Sequence, residues 1–362
     1  MTTTTAPATT GITNTLTASR LPKWATWAIL GGCLAVAAGV FAIVRLSTGG
    51  EYSIVGVVFF GTVLFNIMLF VLSYLVEGGR QARNRLVTSL VVTAFLIALV
   101  PLLSLVWTVL GNGIARFDPA FFSQSMRNVV GEGGGALHAI MGTLLITGMA
   151  TIISVPVGLL TAVYLVEYGQ GVLARAITFF VDVMTGIPSI VAGLFAFAFF
   201  SLITGDPGIR FGFGGAIALS LLMTPVVVRS SEEMLKIVPN ELREAAYALG
   251  VPKWLTILKV VIPTSIAGIT TGVTLAIARV IGETAPLLLI AGFTSSMNYD
   301  LFNNRIMTLP VFVYTQYATP GTDVQTYLDR AWAAALTLVL IVMALNLVAR
   351  LIARFFSPKL GR

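Results

Sequence analysis

The sequence predicts an all-α membrane protein with eight transmembrane helices, on three observations. Hydrophobic residues make up 57% of the 362 and charged residues 10%, with a mean hydropathy of +0.93. Soluble domains carry roughly 25% charged residues. Apolar runs of spanning length, about 20 residues each, recur eight times along the chain. Lys and Arg gather in alternate connections between those runs, as they do in polytopic proteins.

Composition also bounds the chemistry. Cys33 is the one cysteine and lies inside an apolar run, so neither a disulfide framework nor a thiolate metal site is expected. His138 is the one histidine and cannot make a metal cluster. No G-x-x-x-x-G-K-[ST] occurs, so no phosphate-cradling nucleotide loop is present. No catalytic group, metal or cofactor is expected on this chain; if ATP drives it, another chain binds the ATP. The net charge of +7 would suggest nucleic acid in a soluble chain. Here its distribution decides, and no nucleic-acid partner is expected.

Residues 1–22 are rich in Thr and lack apolar periodicity, which predicts a disordered tail. A cleaved signal peptide is the rival reading, but Arg20 and Lys23 come late and the following run is too long for its apolar segment. The apolar runs fall at about 24–44, 54–76, 86–110, 138–164, 177–203, 213–228, 264–291 and 332–356, the sixth being the shortest. An even number places both termini on one side. That side's connections hold Arg20, Lys23, Arg80, Arg83, Arg85, Arg175, Arg229, Lys236, Arg243, Lys253, Lys259, Arg350, Arg354, Lys359 and Arg362. The other side holds only Arg45, Arg116, Arg127, Arg210, Arg305 and Arg330. Fifteen against six makes the first side cytoplasmic.

Pro101, Pro156, Pro188, Pro225 and Pro286 put one proline in each of the third to seventh runs, and the first two have none. A proline inside a span frees a carbonyl, which neighbouring helices or a cavity must satisfy. Residues 23–85 therefore read as two accessory helices and 86–358 as a six-helix working core. The outer connections at 112–135 and 293–330 are long. The first ends in a glycine run at 131–135, and the second carries aromatics among Asn and Pro. Each suits a loop resting on headgroups or a docking surface for a delivery protein.

The sizeable polar island in the second half is NELREAAYALGVPKWLTILKVVIP, residues 240–263, within a connection spanning 231–263. Asn240 is expected to cap a short helix, with Glu241 in its first turn where the helix dipole favours negative charge. Ala245, Ala246 and Leu249 form a small apolar face. Gly250 follows where a left-handed residue is needed. Pro252 opens a second helix carrying Trp254, Ile257 and Leu258, which Pro263 is expected to end. An amphipathic linker on the membrane is the plain reading. A docking element is the specific one, with alanines letting a partner approach the backbone and Glu244 supplying a fixed charge.

Charge inside the membrane is the other signal. Arg279 and Glu283 lie four residues apart, a spacing that shares a face on a continuous helix. Counting ~1.5 Å per residue from Pro263 puts Arg279 roughly 24 Å along. An arginine at that depth costs at least ~2.5–3.5 kcal/mol unless paired or wetted. The two residues either form a buried packing pair or line a path for an anion, where the guanidinium fork fits a phosphate-like ion and Glu283 weakens the grip. Arg229 ends the sixth run, where it either snorkels to headgroups or serves an inner gate. Glu167 and Asp182 sit near helix ends and read as structural.

These stretches match a known family. The order Glu244, Ala245, Ala246, Gly250 and VVIP at 260–263 resembles the EAA signature of ABC importer permeases, with Val260 and Ile262 as conservative departures. GTL at 142–144, Pro156 with Gly158, YLVEY at 164–168, GIPSIVAGL at 186–194, TPVVVR at 224–229, Arg279 with GETAP at 282–286, and TLPV at 308–311 resemble PstA, the permease subunit family of bacterial phosphate ABC importers. The resemblance covers about residues 136–345. It implies a six-helix MetI-like permease core whose EAA loop is a coupling helix seated on a cytoplasmic ATPase. It implies a PstC-type sister permease, a PstB-type ATPase dimer carrying ATP and Mg, and a PstS-type phosphate-binding protein, assembled in the bacterial plasma membrane. It also implies that Arg229, Arg279 and Glu283 line the phosphate route, and that Glu244, Ala245, Ala246, Gly250 and Pro263 serve coupling. A permease for sulfate, molybdate or phosphonate, an ATP-independent anion transporter and a cargo-free scaffold are the alternatives.

Overall fold

The computed structural model describes residues 21–49 and 51–356. The tail expected at 1–22 falls, but for its last two residues, outside that description. All regular structure among the described residues is helical. The chain divides into two compact units, residues 1–106 and 107–362.

The first unit holds α1 (Lys23–Thr48), α2 (Ile54–Glu77) and most of α3 (Gly79–Gly113). Helices α1 and α2 meet closely at Gly61, where a Cβ would come within 2.7 Å of a Leu34 methyl and 3.3 Å of its Cα. Phe65 and Leu69 enclose Cys33 beside it. Where α2 ends, the Glu77 carboxylate is almost fully buried and collects three donors: Arg85 Nε at 2.6 Å, Ser73 Oγ at 2.7 Å and the Leu21 amide at 2.7 Å. Arg85 also donates to the Leu21 carbonyl and to Thr26 Oγ1, each at 3.3 Å. One carboxylate thus ties the end of α2 to the beginnings of α1 and α3. A buried charge is tolerated when it is paired and hydrogen-bonded in this way.

The second unit continues from a 3-10 turn, Ile114–Arg116, into α4 (Pro119–Ser123), whose first turn is capped by Asp118 Oδ1 accepting from the Phe121 amide at 2.8 Å. Helix α5 (Leu137–Val163) runs on through a π turn, Tyr164–Tyr168. Then come α6 (Gly171–Thr185), α7 (Ser189–Thr204), α8 (Gly212–Ile237), α9 (Asn240–Ala248) and α10 (Lys253–Thr256). A second π turn, Ile257–Val261, leads into α11 (Ile262–Val280). Helices α12 (Ala285–Ile290), α13 (Leu309–Ala318) and α14 (Val324–Phe356) complete it.

Helices α5 and α8 form the centre. Gly215 of α8 lies against Ile146 of α5, and Gly158 of α5 lies against Val227 of α8. The pairs advance together, so the two helices run parallel. Glycine at each contact lets the axes approach closely, as membrane helix packing favours. Around this seam Ala150, Leu219, Met223, Ala276, Val280 and Phe312 are buried.

The parallel pairing decides how the span expected at 177–203 is built. It is not one helix: α6 and α7 meet at 109°. Pro188 has no amide to donate and disfavours helical backbone at Ile187, so the chain breaks there. Parallel α5 and α8 require one net crossing between them. Helix α7, 16 residues or about 24 Å long, supplies it. The number of crossings therefore stays at eight.

The run expected at 264–291 breaks too. Helix α11 stops at Val280, residues 281–284 turn, and Pro286 sits in the first turn of α12. Of the five prolines expected inside helices, Pro101, Pro156 and Pro225 are inside, while Pro188 and Pro286 mark breaks. Pro263 was expected to end a helix and does not. The backbone runs on from Lys253 to Val280, with Pro263 in the first turn of α11 behind the π turn. That turn carries the Ile262 amide back to the Ile257 carbonyl, an i to i+5 step that absorbs the proline without a break.

Two connections expected as loops are ordered. Within 293–330 lies α13, with Leu309, Val311 and Phe312 buried, and α14 begins at Val324 rather than near 332. Thr143 Oγ1 accepts from the Leu309 amide at 2.7 Å, fastening α13 to α5. The glycine run at 131–135 is pinned by two arginines. Fully buried Arg330 donates to the carbonyls of Gly131 at 2.8 Å and Gly133 at 3.0 Å, and to Gln316 Oε1 at 3.0 Å. Arg116 donates to the Gly134 carbonyl at 2.8 Å. Three carbonyls turn toward cations because Gly131, Gly133 and Gly134 all take positive φ.

Candidate functional site

The polar island folds as two short helices, α9 and α10, joined at Gly250. Pro239, in an extended conformation, takes the cap position of α9, and Asn240 is the first helical residue. Asn240 therefore does not cap through its side chain as expected. Its Oδ1 instead accepts from Arg243 Nη1 at 3.1 Å. Glu241 stands in the first turn as predicted. Gly250 has φ +76°, and the Val251 amide reaches back to the Ala246 carbonyl at 3.1 Å. This is the left-handed helix stop expected of that glycine.

One side of the island faces its own subunit. Ala246 is buried, and Arg243 reaches across to the π turn at the end of α5. Its Nε donates to Glu167 Oε1 at 3.0 Å, with the two side chains 12% and 5% exposed. Its Nη1 donates to the Val238 carbonyl at 2.6 Å and its Nη2 to the Leu235 carbonyl at 3.0 Å, satisfying the open end of α8. Lys253 hydrogen-bonds the Glu167 carbonyl and stands over the Tyr168 ring, 4.7 Å from its centroid. Helix α9 is thereby bolted to both α5 and α8. The opposite side is open. Glu244, Ala245, Tyr247, Leu249 and Trp254 are exposed and form a mixed patch with one carboxylate among apolar groups.

Four charged residues cluster where α6 meets α8. Arg229 bonds Asp182 through Nη2 and Glu232 Oε2 through Nη1 at 3.0 Å, and Lys236 Nζ meets Glu232 Oε1 at 2.6 Å. Asp182, Glu232 and Lys236 line a cleft of about 380 Å³ together with Arg175 and Thr178. Arg229 is thus held by two carboxylates and neither snorkels freely nor presents an unoccupied guanidinium.

Arg279 and Glu283 do not share a helix face, because α11 ends between them: Arg279 is in its last turn and Glu283 lies in the turn that follows. The packing pair weighed from the spacing is not formed. Neither side chain has a hydrogen bond or ion pair among the described residues. Depth follows from the packing of α11 on α8. Gly268 lies against Met234 and Gly272 against Ser230, so the helices are antiparallel. Seven residues beyond Gly272 falls seven before Ser230, which puts Arg279 level with Met223 in the middle of α8. There its side chain is exposed on the surface of the chain, while Glu283 is partly buried. Six residues, or about 9 Å of helix, separate that level from Arg229. The structure therefore stacks Arg279 and Arg229 at different depths.

The sequence reading singled out Arg279, Glu283 and Arg229 but missed Arg243 and Glu232, and gave Glu167 and Asp182 no special role. Arg243 stands directly before Glu244, which was its one local signal. Its partner is 76 residues away, and nothing short-range links them.

Comparison with known proteins identifies the family. Residues 154–362 match the family model of the binding-protein-dependent transport system inner membrane component. The chain is 46% identical over 286 residues, 78% of its own length and 91% of the relative's, to the Mycobacterium tuberculosis protein named phosphate transport system permease protein PstA 1. It is 38% identical over 277 residues to the protein named phosphate transport system permease protein PstA of Yersinia pestis, covering 76% and 92% of the two chains. Among solved structures, a chain of the bacterial alginate ABC transporter in complex with an alginate pentasaccharide-bound periplasmic protein superposes with a TM-score of 0.54 at 14% identity. That match covers 77% of this chain and 97% of the other, a likeness of fold.

Proposed function

We propose how this chain works from one premise: it belongs to the family of binding-protein-dependent transport system inner membrane components, and within it to the PstA permeases. It is a multi-pass permease subunit of a phosphate ABC importer, a transport component and not an enzyme.

The observation that carries the mechanism is Arg279. It lies level with the middle of α8, is exposed on the isolated chain and has no side-chain partner among the described residues. A guanidinium in that place cannot face lipid without the penalty given above. Its surface is therefore covered by a sister permease of the PstC type, with a wetted passage between the two subunits. Phosphate crosses that passage past Arg279, whose fork matches two oxygens of the anion, and past Glu283, which limits dwell time. The Asp182, Arg229, Glu232 and Lys236 cluster lies toward the coupling end. There Arg229 exchanges its carboxylate partners for phosphate as the passage opens inward.

Coupling runs through the exposed side of α9. Glu244, Ala245, Leu249 and Trp254 seat on a PstB-type ATPase dimer, which carries the ATP and Mg, and the bolted side transmits the movement. Arg243 and Lys253 join α9 to the ends of α5 and α8, so a push on α9 moves both central helices as one body. The termini and the 240–263 island lie on the cytoplasmic side of the bacterial plasma membrane, in keeping with the Lys and Arg distribution. A PstS-type binding protein delivers phosphate to the other face. The deciding measurement is phosphate uptake at matched expression in Arg279→Ala and Glu283→Gln. Uptake falls at least tenfold in both if they line the passage, and undiminished transport in both defeats the reading.

A further inference from the structure

At the end of α8 opposite the coupling island, two segments far apart in sequence enclose an open cavity of about 750 Å³, residues 206–211 on one wall and 293–305 on the other. Both walls are fixed to the end of α12. The Phe211 amide donates to the Ile290 carbonyl at 2.9 Å, and the Ile306 amide to the Ala291 carbonyl at 3.1 Å. Each wall contributes one arginine, Arg210 and Arg305.

The arginines converge on Gly292. A Cβ built there would lie 3.0 Å from Arg210 Cδ and 3.2 Å from Arg305 Cδ, so the two Cδ atoms are within about 6 Å of each other. Gly292 has φ +74° and no side chain, which makes room for both stems. Arg210 is oriented by Nε donating to the Leu289 carbonyl at 3.2 Å, which leaves its two terminal nitrogens without a partner among the described residues. Arg305 is exposed, and its guanidinium has no partner among the described residues.

The nearby carboxylates of Asp206 and Asp300 form no ion pair with either arginine among the described residues. Asp206 Oδ1 accepts from the Gly208 amide at 2.8 Å. Asp300 accepts from the Phe302 amide at 2.9 Å and from Asn303 Nδ2 at 2.6 Å, and the Asn303 bond holds its pKa below the usual aspartate range. Both acids are committed to shaping their own turns. The stems of two arginines are thus held together by backbone contacts beside a polar cavity that Asp206, Thr294, Ser296 and Asn298 also line. Two cationic side chains on neighbouring stems favour an anion shared between them.

We infer that Arg210 and Arg305 form an oxyanion-receiving vestibule that takes phosphate before it reaches Arg279. Two guanidinium forks suit the several oxygens of one tetrahedral anion, and the site's openness permits onward release. Gly292 is the positioning residue that lets the two stems approach. The inference rests on the phosphate-passage reading for its direction of travel, but binding at the vestibule is separable from it.

A lipid headgroup presents the same phosphate chemistry, so the test distinguishes the two sources. Binding of inorganic phosphate to the full chain in phosphatidylcholine nanodiscs is followed by broadening of its phosphorus NMR line, and repeated in discs containing phosphatidylglycerol. Arg305→Gln is the primary variant, since that side chain supports no fold contact. Arg210→Gln with Arg305→Gln is the second, with a melting curve to confirm folding. Broadening by free phosphate that falls at least fivefold in Arg305→Gln supports the vestibule. Equal broadening in wild type and Arg305→Gln overturns it. So does arginine-dependent enrichment of phosphatidylglycerol without free-phosphate binding. Unimpaired uptake in both Arg279→Gln and Glu283→Gln chains that still show the Arg305-dependent broadening would sink the passage reading alone and leave the vestibule standing.

Discussion

Arg243 Nε lies 3.0 Å from Glu167 Oε1, joining α9 to the π turn at the end of α5 across 76 residues of chain. The pair is nearly buried, and Arg243 also closes two carbonyls of the α8 end. It is a direct polar link from α9 to the ends of both central helices.

Removing one partner of that pair leaves the other buried and uncompensated, a loss of roughly 3–5 kcal/mol for a buried bridge. Glu167→Gln and Arg243→Gln should each lower the melting temperature of the purified chain and weaken uptake. The double variant should lose less than the two single losses combined, since neither charge is then orphaned. Strict additivity in a double-mutant cycle would mean that the two residues act independently.

If α9 is the ATPase-coupling element proposed above, docking depends on its exposed side and on the stop at Gly250. Glu244→Lys combined with Gly250→Pro should abolish co-purification of an ATPase subunit while the chain still reaches the membrane. Gly250→Ala alone places a side chain at φ +76° and should cost about 1–2 kcal/mol locally, with partial loss of co-purification. An ATPase retained at full yield by the double variant would show that docking lies elsewhere.

Two glycines of α5 make a matched test of its contact with the segment leading into α13. A Cβ on Gly142 would sit 2.0 Å from the Met307 carbonyl oxygen, a backbone atom that cannot step aside, whereas one on Gly148 meets nothing within 4 Å. Gly142→Ala should sharply reduce the amount of folded chain in the membrane, and Gly148→Ala should leave it unchanged. Comparable yields of the two would put the α13 contact in doubt.

In the first unit, Glu77 gathers Arg85, Ser73 and the Leu21 amide at once. Glu77→Leu should destabilise the α1 to α3 packing and raise protease cutting near residues 49–53 and 78. Intact protease resistance would show that apolar packing alone holds that unit.

Much of this was open to inspection in the residues. The spans, the glycine stop at Gly250 and the intramembrane charges are local properties: hydropathy, backbone preference and the expense of a charge in lipid each act within a turn or two of helix. The four-residue spacing of Arg279 and Glu283 misled because it presumes a continuous helix, and Pro286 starts a new one. Pro188 misled likewise, turning one expected span into two helices at 109°. A proline in an apolar run can kink a helix or end it, and only the neighbours available to take the freed carbonyl select between these.

Composition and short-range chemistry were enough for the class of protein, its spanning stretches and the polar island at 240–263. Which charges stand together was settled by packing: Arg243 on Glu167, Arg229 between Asp182 and Glu232, Arg210 beside Arg305 over Gly292. Such pairs join residues tens of positions apart, through glycine contacts and helix registers that carry no local signature. Electrostatic partners act through space rather than along the chain, so they became fixed only once α5 and α8 lay parallel and the breaks at Pro188 and Pro286 had redirected the helices around them.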